Sequence, residues 1–161
     1  MSRSRAAVLT VSDSSAAGAR ADLSGPEIAR NLEALFQIVK MDVVADEREA
    51  ISAALRKLAA EADLVVTTGG TGLGPRDVTP EATRDVCDRL VEGVAEHMRA
   101  EGVKQTPFAS LSRGVCGVLG RSLILNLPGS PNGAVHSLNA VLETLPHAID
   151  LLQGRTEHKK T

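Results

Sequence analysis

The sequence predicts an α/β protein of three layers, α/β/α, around a mostly parallel central sheet. Strand-like and helix-like patterns alternate along 161 residues with no linker and no internal repeat, the order that builds a parallel sheet with helices on both faces. The strand-like runs, such as AAVLTV at Ala6–Val11 and LVVTT at Leu64–Thr68, are continuously apolar or β-branched, as strands covered on both sides are. The segments that follow the strands, SDSS, ADE, TTGGTGLGPRD and LPGSPNG, are all rich in small or acidic residues. In a parallel sheet such segments gather along one edge, where ligands bind.

Taken in order, Ala6–Val11 is a strand that feeds the polar loop SDSSAAGARAD. SGPE at Ser24–Glu27 predicts a helix start, with Ser24 as N-cap, proline in the first turn and glutamate at N3. That helix runs to about Leu35. Gln37–Ala45 is a second strand. Glu47–Ala62 carries Ile51, Leu55, Leu58 and Ala62 on one face of a helix. Leu64–Thr68 is the third strand, and Thr79 with Pro80 and Glu81 opens the next helix. A further helix covers Val91–Glu101. Gly114–Leu119 and Ser122–Leu127 are short strands, and Ala134–Leu152 is a closing helix. Gln153–Thr161 reads as a flexible tail, and the whole of 1–161 as one domain.

Composition narrows the function. With 18 basic against 20 acidic side chains the net charge is −2, which offers no nucleic-acid footprint. Phe36 and Phe108 are the only aromatics, too few for a base-stacking platform. No apolar run approaches the ~18 residues of a membrane span, and SRSRAAVLTVSDSS turns polar too soon for a signal peptide. The expectation is a cytoplasmic protein. Cys87 and Cys116 read as buried free thiols, without metal-ligand spacing. His97, His136, His147 and His158 pair with no Ser or Cys in a nucleophilic arrangement and read as solvated or structural.

The loops themselves carry two readings each. Gly69, Gly70, Gly72 and Gly74 let a ligand approach bare backbone and form an anion-binding nest, or simply make a tight turn. There is no GK[ST], so the loop is not a P-loop, and Pro75 spoils the dinucleotide fingerprint. Asp77, beside Arg76, is a surface ion pair, a helix cap or a Mg2+ ligand, since hard oxygen donors near phosphates suit that ion. Asp46, at the end of the second strand, is a helix cap or the second carboxylate of such a site. Ser12, Asp13 and Ser14 add hydroxyls and another carboxylate. NLPGSPNG (Asn126–Gly133) adds a second glycine-rich turn and the N-terminus of the last helix.

LTVSDSSAAG with a following SGP, ADE, TTGGTGLGPRDVTPEAT, TPFASLSRGVCG and LILNLPGSPNG stand in this order over about residues 6–152. In these motifs the chain resembles the molybdopterin-binding MogA/MoaB family, above all its molybdopterin adenylyltransferases and the G domain of gephyrin. The resemblance implies a trimer and a reaction in which Mg·ATP adenylylates the terminal phosphate of molybdopterin, releasing pyrophosphate. The product then passes to a molybdate-insertion partner. On this resemblance Asp77 and Asp46 are the catalytic acids and the Mg2+ ligands. Gly69, Gly70, Thr71 and Gly72 form the pterin- and phosphate-binding loop, and Ser12, Asp13, Gly129, Ser130 and Asn132 the other two loops of the site. Ala45 replaces the family's frequent proline, and Ser130 stands where several relatives have Asn or Gln. A non-catalytic molybdopterin carrier or scaffold of the same fold is the alternative. The presence of both acids argues for catalysis.

Overall fold

A computed structural model describes residues 3–155. Six strands form one sheet: β1 (Arg5–Val11), β2 (Gln37–Val44), β3 (Leu64–Thr68), β4 (Arg89–Leu90), β5 (Cys116–Leu119) and β6 (Ser122–Leu127). Their spatial order is β2-β1-β3-β6-β5-β4. The first four in that order are mutually parallel; β5 runs antiparallel to β6, and β4, antiparallel to β5, returns to the direction of the first four. Between and after them lie α1 (Asp13–Ala16), α2 (Ser24–Leu32), α3 (Arg48–Glu61), α4 (Thr79–Val86), α5 (Glu92–Gly102), α6 (Pro131–Val141) and α7 (Leu145–Leu152).

Side chains alternate across the pleat, so each buried strand feeds two cores. Ala6, Val8, Leu64, Val66, Leu123 and Leu125 face the layer of α2, α5, α6 and α7, packing on Ile28, Leu32, Met98, Leu138 and Ile149. Ala7, Leu9, Val65 and Ile124 face α3 and α4, against Ile51, Leu55, Leu58 and Ala82. The three-layer α/β/α architecture is therefore the one the sequence predicts. The register sets the site: Val11 pairs with Val44, Thr10 with Thr68 and Thr68 with Leu127. The four parallel strands end in line, and the loops after them share one rim.

Several details differ from expectation, each for a physical reason. Ser24 is the first residue of α2 and not its cap; the Asp22 carboxylate accepts from Gly25 N at 3.0 Å. The Ser24 hydroxyl instead meets Thr68 Oγ1 at 3.1 Å, and the helix ends at Leu32. The expected closing helix is two. Pro146 has no N–H to give the Leu142 carbonyl, and a 3-10 turn at Leu142–Thr144 separates α6 from α7. The two-residue β4 carried no recognisable pattern. Gln153 is tied down, its Nε2 donating to Asp63 Oδ1 at 3.3 Å and Arg121 O at 3.0 Å. Arg155 Nε reaches Asp150 at 2.9 Å. The rest of the expected tail, with His158, lies outside the described residues. Among the described helices none is long and apolar enough to cross a membrane.

Candidate functional site

β1 has β2 on one side and β3 on the other, so the chain leaves β1 and β3 in opposite directions. A crevice opens there, outside the strand ends, as doubly wound sheets dictate. It is a cavity of about 500 Å³, lined among others by Ser12, Asp46, Gly69, Gly70, Asp77, Gly129 and Ser130. That volume lies within the ~300–1,000 Å³ range of small-molecule sites.

The wall from β1 and β2 is built around two carboxylates. Ser12 Oγ accepts from Ser15 N at 3.2 Å and caps the single turn of α1. That turn presents Asp13 to Asp46. Asp13 N donates to Asp46 Oδ2 at 2.9 Å, and Asp46 N donates to Asp13 Oδ1 at 2.9 Å. Arg76 grips Asp13 with Nε and Nη2, both at 3.0 Å, and extends Nη2 to Glu47 Oε1 at 2.9 Å. The Arg76 guanidinium, helped by the Asp46 N–H, holds the Asp13 carboxyl below its ordinary range. Asp46 moves the other way. Burial pushes it up, the Asp13 N–H opposes this, and the charges of Asp13 and Asp77 add to it.

The facing wall is the loop from β3 to α4. Gly69 and Gly70 take φ +100° and +69°, conformations that favour glycine. A Cβ on Gly69 would lie 2.3 Å from Val11 O. One on Gly70 would lie 2.3 Å from Thr79 Oγ1 and 3.2 Å from Asp46 Oδ1. Thr79 fastens the turn, with Oγ1 donating to Gly69 O at 2.9 Å and N to Gly70 O at 3.1 Å. Beyond it, Gly74 N donates to Asp77 Oδ2 at 2.9 Å. A Cβ at Gly72 or Gly74 would stand 3.0 or 2.9 Å from that same oxygen, so bare backbone cradles the carboxylate. The third wall comes from β6. A Cβ on Gly129 would approach Gly69 Cα to 3.3 Å, so the two loops meet main chain to main chain. Ser130 caps α6, accepting from Gly133 N at 3.2 Å.

The fold thus brings Ser12, Asp46, Gly69, Gly70, Asp77, Gly129 and Ser130 together on one cavity. Asp13 stands behind Asp46. Thr71 is buried, its carbonyl accepting from Arg113 N at 2.8 Å. Gly72 lines a neighbouring cavity of about 270 Å³ with Phe108, Leu111 and His136, and Asn132 sits in the first turn of α6 outside both linings. Sequence reasoning missed Thr10, Asp22 and Arg113. Asp22 Oδ2, which accepts from Thr10 Oγ1 at 2.7 Å, was legible as an acid two residues before the SGP helix start. Arg113 reaches its partners across 32 to 41 residues and left no local signal.

The donor set can be tested against a metal. Each of Asp46 and Asp77 has one oxygen held by a backbone N–H, and no protein donor reaches the other among the described residues. No cluster of three or more His, Cys, Asp or Glu with metal-holding geometry exists among the described residues. Two carboxylates without further protein ligands fit Mg2+, which keeps several waters and shares substrate phosphates. They do not fit a closed zinc cage. Cys116 is buried but Cys87, expected to be buried, is only half-buried; burial pushes Cys87 up to about 11 and Cys116 up to about 12, and they pack on opposite faces of the sheet.

The chain is similar to known proteins over almost its whole length. The Helicobacter pylori (strain J99) molybdopterin adenylyltransferase is 44% identical over 152 residues, 91% of this chain and 86% of that protein. The Drosophila melanogaster molybdenum cofactor synthesis protein cinnamon is 40% identical over 149 residues, 90% of this chain but 25% of the longer protein. The crystal structure of the molybdopterin biosynthesis enzyme MoaB from Thermus thermophilus superposes with a TM-score of 0.87 at 52% identity, covering 94% of this chain and 97% of that one. Residues 7–147 match the family described as a probable molybdopterin binding domain, and the chain belongs to that family.

Proposed function

We propose that this chain is a molybdopterin adenylyltransferase of molybdenum cofactor biosynthesis, transferring AMP from ATP to the terminal phosphate of molybdopterin. The observation that carries the reading is the pair Asp46 and Asp77. Each is half-satisfied by a backbone N–H, and the two flank the Gly69–Gly70 turn of a glycine-walled crevice. In the reaction a phosphate oxygen of molybdopterin attacks the α-phosphorus of ATP. A new P–O bond forms, the α–β anhydride bond breaks, and pyrophosphate leaves. No protein nucleophile is needed, which suits a site without a Ser-His or Cys-His pair.

What the chain contributes is alignment. Glycines 69, 70 and 129 let phosphates reach the main chain, and the N–H groups of Gly70 and Gly129 have no acceptor among the described residues. Such preorganised donors hold two polyanions in line without bulk. The N-terminus of α6 adds a favourable dipole beside Ser130. Asp46 and Asp77 would hold Mg2+, which when bound neutralises phosphate charge and that developing on the leaving group. The Mg2+ requirement, the homotrimer, hand-over to a molybdate-insertion protein, the cytoplasmic location and the action of 1–161 as one domain belong to the same proposal.

The test is direct assay of adenylyl-molybdopterin and pyrophosphate from molybdopterin and Mg·ATP. Asp77→Asn is expected to bind molybdopterin normally while AMP transfer falls by about two to three orders of magnitude. Near wild-type turnover by that variant would sink the metal-site assignment. A wild-type protein that binds molybdopterin without forming product would be a carrier.

A further inference from the structure

Asp77 sits on ten residues of irregular chain between β3 and α4, yet reacting groups must be held to within about 0.5 Å. The ends of this loop are fastened by Gly69 N on Leu127 O (3.1 Å) and Thr79 N on Gly70 O (3.1 Å). The Gly74–Asp77 bonds are internal to it. Among the described residues, two arginines join its middle to the rest of the molecule. Arg76 reaches outward to Asp13 and Glu47, with 55% of its side chain exposed. Arg113 reaches inward to the Glu81 carboxylate and to two main-chain carbonyls. Nε donates to Gly72 O at 2.9 Å and Nη2 to Asp77 O at 2.7 Å. Its own N–H donates to Thr71 O at 2.8 Å.

We propose that Arg113 is the positioning residue of the Asp77 carboxylate, stapling both ends of the Gly72–Asp77 excursion to the segment that leads into β5. The proposal rests on the adenylyltransferase reading. Arg113 lines neither the main cavity nor its 270 Å³ neighbour, so it acts through Asp77 and touches no substrate. The planar fork is essential, because one guanidinium spans two carbonyls and the Glu81 carboxylate together. A lysine ammonium has no such fixed geometry. Displacing a reacting group by about 1 Å lowers the rate by about a hundredfold.

Glu81 complicates the simple substitution, since its Oε2 is buried without a partner among the described residues and its Oε1 meets Arg113. Removing the arginine alone would strand a carboxylate. The experiment therefore compares Glu81→Gln, Glu81→Gln with Arg113→Gln, and Arg113→Lys, reading kcat, the KM for ATP and amide hydrogen exchange across residues 70–77. Glu81→Gln is expected to keep kcat within about twofold. The double variant and Arg113→Lys are expected to lose about 30- to 100-fold in kcat, with the KM for ATP moving less than about threefold. Exchange at the hydrogen-bonded amides of Gly74 and Asp77 should rise at least about tenfold, while the α4 amides stay protected. Unchanged exchange in the double variant, or a kcat equal to that of Glu81→Gln, overturns the proposal. Exchange is read without turnover, so an inactive wild type would refute the adenylyltransferase reading while the loop data still decided the role of Arg113.

Discussion

The sheet has a cavity at each end, of about 500 Å³ beyond the carboxyl ends of the strands and about 510 Å³ at the amino ends. Their volumes do not distinguish them; their polar atoms do. At the amino end Asp63 is fully occupied by the chain. Its N donates to Arg5 O and its carboxylate accepts from Arg5 N and Gln153 Nε2, while its carbonyl accepts from Leu123 N. Ser122 Oγ is shared between Ala59 O and Ala62 O at 2.9 and 2.8 Å, closing the last turn of α3. At the carboxyl end the chain leaves capacity over. Asp46 and Asp77 each keep one oxygen without a donor among the described residues, and glycine main chain lies open around them. Unfilled hydrogen-bonding capacity in a concave place marks the site.

If that contrast is right, changes at the two ends should separate activity from stability. After Asp77→Asn, the largest effect is expected for Asp46→Asn, which keeps an acceptor for Asp13 N but loses the charge. Its rate of AMP transfer should fall about a hundredfold, and turnover close to wild type would remove Asp46 from the chemistry. Gly69→Ala should follow, because its new methyl meets Val11 O at a positive φ. A loss of about 3 kcal/mol should appear in thermal unfolding, and an unchanged melting temperature would show that the turn relaxes freely. At the other end Ser122→Ala should lose about 1–2 kcal/mol of stability with kcat intact. A fall in kcat there would break the comparison.

The smallest effect is one of sign. The Asp46 carboxyl is raised in the folded protein, chiefly by burial. Its contribution to stability is therefore present at acid pH and is lost as pH rises through the raised value. Without divalent ions, Asp46→Asn should melt slightly above wild type at pH 7, with the gap closing toward pH 3. Melting below wild type at pH 7 would contradict the burial argument. On the proposed reading function works against stability at Asp46, because burial disfavours the charge that holding Mg2+ requires.

Much of this was legible in the residues. Continuous apolar strands between amphipathic helices gave the layers, and acids and glycines immediately after strands gave the crevice, because a parallel sheet places those positions on one rim. What stayed hidden depends on distance in sequence. Nothing local in SDSS shows that Asp13 and Asp46 exchange backbone bonds across 33 residues, or that Arg113 reaches Gly72 and Asp77. The Asp22 cap won over Ser24 because a carboxylate is the stronger acceptor and the serine had a buried partner. Pro146 announced the break between α6 and α7, but the apolar spacing on both sides of it masked the signal.

The anchoring of Gln153 has a consequence for how this fold is used. By holding Asp63 and Arg121, Gln153 brings the exit of the described chain to the amino end of the sheet, where Arg5 begins β1. Entry and exit thus share the face turned away from the crevice. Polypeptide joined at either side would leave the mouth of the site clear.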